Sequence, residues 1–225
     1  MRTTSMANAF AFALLSSGAS AMVVGSVSIT VTESSASAAK NAFGNDETGT
    51  KIWDAGKTLS TILATEYVDS LPSMKVLELG SGTGVGGLTA AAANATVILT
   101  DGSLAVLPLL EANVRVNQLE ENAKVRRLQW GDPTDLAAIS DGSGLELDLV
   151  IGSDLLYAPE IFPDLLDTLE GLCVPARTEV LLCFPPRYTE SIFFSMAEQE
   201  YGFEVDEIRA VEPGLFAASM RLPEW

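Results

Sequence analysis

The 225-residue chain carries 13 basic and 30 acidic residues, giving a formal net charge of −17. Because nucleic-acid binding depends on neutralising phosphates with Lys and Arg, this charge balance disfavours a nucleic-acid partner. The sequence contains no histidine, which excludes Ser-His-Asp and Cys-His hydrolases and every histidine metal site. The chain length and the 48% hydrophobic content predict one globular domain.

The first 21 residues differ in composition from the rest of the chain. They are rich in Ala, Ser and Thr, with Arg2 as the single charge and a short apolar run over 6–15. This pattern resembles a signal or transit peptide, so we expect residues 1–21 to form an N-terminal tail or a targeting segment and residues 22–225 to form the folded domain. Only two cysteines are present, which argues against a disulfide framework and favours the cytoplasm unless residues 1–21 direct the chain elsewhere.

Alternating apolar residues after residue 26 predict a strand that forms the second arm of a hairpin turning at Gly25-Ser26. A helix is expected from about Trp53 to Val68. Five further strands are expected at 74–79, 96–100, 124–129, 147–152 and 178–184. Helices are expected near 84–93, 103–118, 160–172 and 189–199. The last strands are predicted over Phe203–Ile208 and Leu215–Leu222, so a mostly parallel sheet covered by helices should end in a hairpin.

A glycine-rich stretch follows the first predicted parallel strand and precedes a helix. Glycine permits positive φ and close ligand approach, and the N–H groups of the next helix point into the gap. The spacing G-x-G-x-x-G over 82–87, with Asp101 downstream, matches a dinucleotide fingerprint. The alternative is an S-adenosylmethionine loop, in which an acidic residue, here Glu78, precedes G-x-G-x-G. In either case we expect Asp101 to accept hydrogen bonds from two ribose hydroxyls.

Five segments occur in an order that is typical of one enzyme family. They are K-I-W-D-A (51–55), V-L-E-L-G-S-G-T-G (76–84), L-T-D (99–101), L-Q-W-G (128–131) and D-L-V-I-G-S-D-L-L-Y (148–157). Together they resemble the seven-β-strand protein-lysine methyltransferases that modify heat-shock chaperones, valosin-containing protein and translation elongation factors. The resemblance implies an α/β fold: a Rossmann-like, seven-stranded class I S-adenosylmethionine-dependent methyltransferase sheet with an N-terminal β-hairpin extension. It also implies S-adenosyl-L-methionine as cofactor and a lysine of another protein as methyl acceptor.

The resemblance further assigns roles to individual residues. Cofactor contacts fall on Trp53, Gly80, Ser81, Gly82, Asp101, Trp130 and Ser153. Trp53 would wall the pocket, where an indole face suits a sulfonium cation, and Trp130 would lie against the adenine. Asp154 is expected to handle the substrate lysine, and Tyr157 to help shape its channel. Residues 187–188, an Arg-Tyr pair, also resemble a family feature on the substrate side, but the Pro-Pro pair before them departs from the pattern.

The expected reaction poses a protonation problem. A free lysine has a pKa of about 10.4, so reaching the neutral amine near pH 7.4 costs about 4 kcal/mol. An ionised Asp154 would hold the ammonium but raise its pKa, whereas burial and the positive sulfonium would lower it. We therefore expect Asp154 to capture and align the lysine, while cofactor charge and desolvation promote proton loss to water.

Three alternatives remain open from the sequence alone. The first is a methyltransferase of the same fold that acts on another protein nucleophile or a small molecule. The second is a non-catalytic protein-binding module that retained the fold. The third is a dinucleotide-dependent oxidoreductase, which Glu78 and the lack of a Tyr-x-x-x-Lys motif disfavour. We expect a monomer without metal or membrane partner, whose protein substrate is a chaperone, an ATPase or a translation factor.

Overall fold

The computed structural model describes residues 11–14, 19–24, 26–33, 48–140 and 146–224. Ten strands lie in these residues: β1 (Ala11–Leu14), β2 (Ala19–Val24), β3 (Val27–Thr32), β4 (Lys75–Leu79), β5 (Thr96–Asp101), β6 (Ala123–Arg127), β7 (Leu149–Ser153), β8 (Glu179–Phe184), β9 (Glu204–Glu212) and β10 (Leu215–Arg221). The α-helices there are α1 (Asp54–Thr65), α2 (Val85–Ala92), α3 (Leu107–Val116), α4 (Pro133–Ser140), α5 (Phe162–Leu172) and α6 (Glu190–Gln199). In this part of the chain, no helix is long and apolar enough to cross a bilayer.

Seven strands form the central sheet, in the order β6-β5-β4-β7-β8-β10-β9. The first five strands in this order are parallel to one another, whereas β10 is antiparallel to both β8 and β9. The predicted seven-stranded sheet with an antiparallel last strand is therefore confirmed. The strand order reverses at β4, which has β5 on one side and β7 on the other. In open parallel sheets, ligands bind at the carboxyl ends of the strands that flank such a reversal.

Both faces of the sheet are covered, as continuous apolar strands require. Helices α1, α2 and α3 cover one face together with the N-terminal sheet, and α4, α5 and α6 cover the other. Val76 and Leu77 are fully buried neighbours on β4, and their side chains enter opposite cores. Each face thus has its own apolar core, and β4 contributes to both.

The N-terminal strands form a separate antiparallel sheet in the order β1-β2-β3. The predicted hairpin is present, since β2 pairs with β3 up to Val24 opposite Val27; Gly25, predicted in its turn, lies outside the described residues. Strand β1 was not predicted, and β2 starts at Ala19, before the expected domain boundary at residue 22. The assignment of residues 1–21 to a tail or targeting segment stays a prediction.

Helix α4 was also not predicted, because only Leu136 and Ile139 of its side chains pack against the apolar core. Its start nevertheless carries two local signals. Asp132 Oδ1 accepts hydrogen bonds from the amides of Thr134 (2.8 Å) and Asp135 (3.3 Å), and the helix begins at a proline. An acidic N-cap followed by proline is a favoured helix start, so capping residues indicate this helix where apolar periodicity does not.

Asn113 of α3 and Asn117, the residue that follows this helix, close the outer edge of β3. Asn117 accepts a hydrogen bond from Thr30 N (2.7 Å) and donates one to Thr30 O (2.6 Å). Asn113 makes the same pair with Thr32, at 2.9 and 3.1 Å. The Asn113 amide also donates to Thr83 O (2.9 Å), in the loop that follows β4. One fully buried side chain therefore joins the N-terminal sheet to the glycine-rich loop.

We expect Asn113→Ala to lower the free energy of unfolding by about 3 kcal/mol, because it leaves buried backbone groups of β3 and of the loop without partners. Urea unfolding with linear extrapolation measures the change. Asn122→Ala is the matched control, since the Asn122 side chain makes no hydrogen bond in the described structure. Equal effects of the two substitutions would show that the bonds of Asn113 contribute nothing.

Candidate functional site

The predicted site residues lie at the carboxyl edge of the central sheet. The loop of residues 80–84 follows β4, Asp101 ends β5, and Ser153 ends β7. These three strands are adjacent and parallel, so the segments that follow them meet at one edge. We call this region the cleft.

The glycine loop lies directly against Trp130. Gly80 and Gly82 have φ angles of +54° and +53°, which residues other than glycine rarely adopt. A β-carbon at Gly80 would lie 2.9 Å from Leu155 Cδ2 and 3.2 Å from Trp130 Cζ2. A β-carbon at Gly82 would lie 3.0 Å from Gly49 O. The loop is therefore enclosed by an indole on one side and by the segment before α1 on the other.

Ser81 attaches the loop to β4 and β5 through hydrogen bonds. Its amide donates to Thr100 O (2.8 Å), and its hydroxyl donates to Glu78 O (3.2 Å) and accepts from Thr100 N (3.0 Å). The Ser81 carbonyl accepts the amide of Gly84 at 2.7 Å. The backbone contact with a cofactor that the sequence predicts for Ser81 stays a prediction, and in this structure its polar groups fix the loop shape.

Glu78 is buried beneath the first turn of α2. Burial raises the pKa of Glu78 to about 7, although the amides of Gly87 and Gly86 and the hydroxyl of Ser81 act in the opposite direction. Its Oε2 atom has no hydrogen-bond partner of ordinary geometry in the described residues, so burial has the larger effect. The carboxylate faces the helix and not the cleft, and its position stabilises the turn between β4 and α2.

Asp101 faces the glycine loop from the end of β5. Its Oδ2 accepts the amide of Gly82 (3.0 Å), and its Oδ1 accepts the amide of Ser103 (2.9 Å). Each carboxylate oxygen accepts more than one hydrogen bond, so these two bonds orient the group without exhausting it. The arrangement places a half-buried acid beside a glycine-rich loop, and a carboxylate there is a suitable acceptor for the hydroxyls of a ribose.

Trp53 and Ser153 lie where α1 meets the end of β7. Trp53 directly precedes α1, and its carbonyl accepts the amides of Gly56 (3.0 Å) and Lys57 (3.2 Å). A β-carbon at Gly56 would lie 3.4 Å from Ser153 Oγ. Almost half of the Trp53 surface, 47%, is exposed. The start of α1 therefore packs against the end of β7, with a half-exposed Trp53 directly before it.

Asp154 is held in an unusual conformation next to the cleft. Its φ angle is +57°, and its amide donates to Cys183 O at 2.8 Å. The side chain is 15% exposed, and Oδ1 accepts a hydrogen bond from Arg187 Nη2 at 2.7 Å. Burial raises the pKa of Asp154, and the Arg187 guanidinium acts against that rise. Left-handed backbone at a residue other than glycine is concentrated at functional sites.

The sequence did not predict Arg187 as a site residue. Its only sequence signal is the Arg-Tyr pair that resembles a family feature, since spacing alone does not relate residue 187 to residue 154. The contact arises because β7 and β8 are neighbours, which brings the segments after them together.

The pKa of Tyr157 responds to acids from more than one segment of the cleft. Burial raises the pKa of Tyr157, and the negative charges of Asp101, Asp154 and Glu160 raise it further. The phenol is therefore neutral at physiological pH, and the charges of Asp101, Asp154 and Glu160 all act on it. About half of the residue, 47%, is exposed.

The chain matches the family described as lysine methyltransferase over residues 32–200. The protein N-lysine methyltransferase METTL21A of Mus musculus is 36% identical over 153 residues, 67% of this chain and 67% of that protein. Its counterpart in Danio rerio is 39% identical over 160 residues, 70% and 69% of the two chains. This chain belongs to the lysine methyltransferase family. The protein-lysine N-methyltransferase EFM6 of Saccharomyces cerevisiae is 30% identical, over 73% of this chain and 74% of its own.

Solved methyltransferase structures share the fold. A SAM-dependent methyltransferase from Streptococcus mutans gives a TM-score of 0.64 at 12% identity, covering 94% of this chain and 57% of that chain. SMU.776, a methyltransferase complexed with SAH, gives 0.63 at 15% identity, covering 94% and 58%. The chain thus spans less than two thirds of either solved chain. This likeness confirms the Rossmann-like class I fold.

Family and fold together identify an S-adenosylmethionine-dependent protein-lysine methyltransferase. The predicted family, fold, cofactor and reaction are confirmed. The literal G-x-G-x-x-G spacing over 82–87 was a misleading signal, and the acidic residue before the first glycine was the informative one. The cleft also fits the cofactor on its own terms, because a glycine-rich loop lies between the Trp130 indole and the Asp101 carboxylate, which is suited to accept hydrogen bonds from a ribose.

We expect Glu78→Gln to become more stable relative to the wild-type protein as pH rises. The folded-state pKa is raised from 4.5 to about 7, so the unfolded chain loses its proton first and wild-type stability falls through this window. The difference in unfolding free energy should grow by about 2 kcal/mol between pH 5 and 8. Urea unfolding at a series of pH values measures it.

The exposed Glu121→Gln, measured over the same pH series, is the control for replacing a surface carboxylate with an amide. A difference for Glu78→Gln that stays constant with pH would mean that Glu78 titrates alike in the folded and unfolded chains.

Proposed function

We propose that the cleft is the active site for methyl transfer to a lysine of a partner protein. The observation that carries the proposal is the position of Asp101 and Asp154 at the same edge of the sheet, where Asp101 ends β5, Asp154 follows β7, and β4 with its glycine loop lies between them. The acid proposed to bind the cofactor and the acid proposed to receive the lysine thus lie on either side of one loop.

Gly80, Gly82, Asp101 and Trp130 hold the cofactor in this proposal, and Trp53 and Ser153 line its methionine side. The glycines give the loop its positive-φ shape, Asp101 accepts the ribose hydroxyls, and Trp130, which packs on Gly80, lies against the adenine. When bound, S-adenosylmethionine supplies an electrophilic methyl group on a positively charged sulfur. The indole of the half-exposed Trp53 presents a ring face of the kind that attracts cations.

Asp154 receives the substrate lysine and aligns its nitrogen. The carboxylate is fixed by its backbone bond to Cys183 and by its mostly buried side chain, so little freedom is lost when the lysine arrives. Tyr157 forms one wall of the lysine channel with its neutral phenol. Positioning two reactants supplies most of the acceleration, and the ammonium proton passes to water.

The partner is a protein with a locally basic surface around the target lysine. The net charge of −17 supports this, because complementary charge steers association. Relatives of this chain include METTL21A and the EEF1A lysine methyltransferase 3 of Mus musculus, which is 36% identical over 57% of this chain and 52% of its own. We propose a chaperone, an ATPase or a translation factor as the substrate, methylated by a monomer in the cytoplasm.

We expect S-adenosylhomocysteine, and not NAD, to raise the melting temperature, because a ligand that binds only the folded state stabilises it. Asp101→Ala should weaken S-adenosylhomocysteine binding at least about tenfold, since hydrogen bonds to a charged carboxylate are lost. Calorimetric titration measures the affinity. The exposed Asp69→Ala is the control and should bind as the wild-type protein does. Stabilisation by NAD alone would contradict the proposal.

We expect Asp154→Asn to reduce methyl transfer about 10- to 100-fold while leaving S-adenosylhomocysteine binding unchanged, because an amide does not pair with an ammonium. Asparagine tolerates the positive φ, so the loop should fold normally. Transfer of tritiated methyl groups into a dialysed cell lysate gives the rate, and mass spectrometry of the labelled band identifies the modified side chain.

The exposed neighbour Glu160→Gln serves as the control for a general change in charge. Full turnover by Asp154→Asn at saturating substrate would contradict the role of Asp154, and a labelled side chain other than lysine would contradict the substrate class.

A further inference from the structure

Arg187 occupies one oxygen of the carboxylate that is proposed to receive the lysine. Its Nη2 lies 2.7 Å from Asp154 Oδ1. The Asp154 side chain is 15% exposed and that of Arg187 is 41% exposed, so the pair lies at the boundary between the cleft and solvent. An arriving lysine therefore meets an ion pair and not an isolated carboxylate.

The loops that carry the two partners are tied together. Thr189 Oγ1 donates a hydrogen bond to Leu156 O at 2.7 Å, which joins the segment after β8 to the segment after β7. The amide of Arg187 donates to Glu190 Oε2 at 3.0 Å, at the start of α6. The next residue, Tyr188, has a φ angle of +65° and is 92% exposed. A bulky residue in this conformation is strained, so the surrounding bonds determine the loop shape that aims Arg187 at Asp154.

The charges around Asp154 come from several elements. Arg187 contributes the positive charge that acts on Asp154. Tyr157 lies close enough to be affected by Asp154, and also by Asp101 from β5 and Glu160 from the segment before α5. Glu190 contacts the backbone of Arg187.

A carboxylate alone would retain the proton on a bound ammonium and oppose attack. We propose that Arg187 is a positioning residue that holds Asp154 Oδ1, directs the substrate ammonium to Oδ2, and by its fixed charge promotes loss of the ammonium proton. In this step one N–H bond of the ammonium breaks, the proton passes to water, and the electron pair stays on the lysine nitrogen. Arginine suits this task because its planar guanidinium presents N–H groups in a geometry that matches a carboxylate. The inference rests on the proposed function of the cleft.

The pH dependence of transfer tests the charge effect. The rate of transfer should rise with pH, and Arg187→Gln should move the midpoint of this rise upward by about one pH unit. The rate of the variant should therefore be about tenfold lower at pH 7.5 and should recover above about pH 9.5. Half-saturation by the lysate protein should change little, because the Asp154 carboxylate remains to receive the ammonium. The probe is tritiated methyl transfer into one labelled band of a dialysed lysate. Arg187→Lys should keep the wild-type midpoint.

Loss of rate by the same factor at every pH would overturn the proposal, because a merely structural role predicts that result. Melting temperature and S-adenosylhomocysteine binding establish that each variant is folded.

A second readout does not require methyl transfer. The side-chain carboxyl carbon of Asp154, followed by ¹³C NMR across pH, should titrate at higher pH in Arg187→Gln than in the wild-type protein, because the opposing positive charge is gone. Arg187→Lys should lie between the two. An unchanged Asp154 titration would overturn the proposal even if the enzyme is active. If the wild-type protein labels no protein at all, the proposed function fails and the inference fails with it, whereas the titration still shows whether the pair exists.

Discussion

The site depends on the hydrogen bonds that fasten the glycine loop to the end of β5. Thr100 and Asp101 supply them: the Thr100 hydroxyl donates to Glu78 O at 2.6 Å, Ser81 exchanges bonds with the Thr100 backbone, and the Asp101 carboxylate receives the amide of Gly82. A loop of small residues loses more conformational entropy on folding than any other kind of segment. Bonds to an adjacent strand offset that loss, so the loop is held in a ligand-accepting shape by neighbours that come 19 or more residues later.

The same loop connects to regions outside the cleft. Asn113 bonds both to β3 and to Thr83, so the N-terminal sheet supports the loop. Glu78 supports it from below at the cost of a buried carboxylate with a raised pKa. Gly49 packs on Gly82 from the segment before α1. Stability of the fold and shape of the cleft are thus coupled through a few buried polar groups.

Much of the architecture was predictable because its signals are local. Apolar runs separated by amphipathic stretches indicated the strands from β4 to β8 and most helices within a few residues. Helix α4 was not predicted because few of its residues face the core, and its signals were the Asp132 cap and the proline that follows it. Strand β1 was not predicted because its alanine-rich sequence resembles a targeting segment. The boundaries of β9 differed because it lies at the sheet edge, where its mostly exposed side chains lack regular alternation.

The sequence by itself determined the family, the fold, the cofactor and the candidate residues, because these follow from motifs that occur in a fixed order along the chain. In those motifs each glycine permits a particular turn, and each acid can accept hydrogen bonds next to it. Only the tertiary structure decided which of those residues act on one another. The pairing of Arg187 with Asp154 and the reach of Tyr157 to Asp101 exist because β5, β4, β7 and β8 are adjacent in the sheet. Strand order brings together side chains that lie tens of residues apart, and no spacing along the chain encodes that proximity.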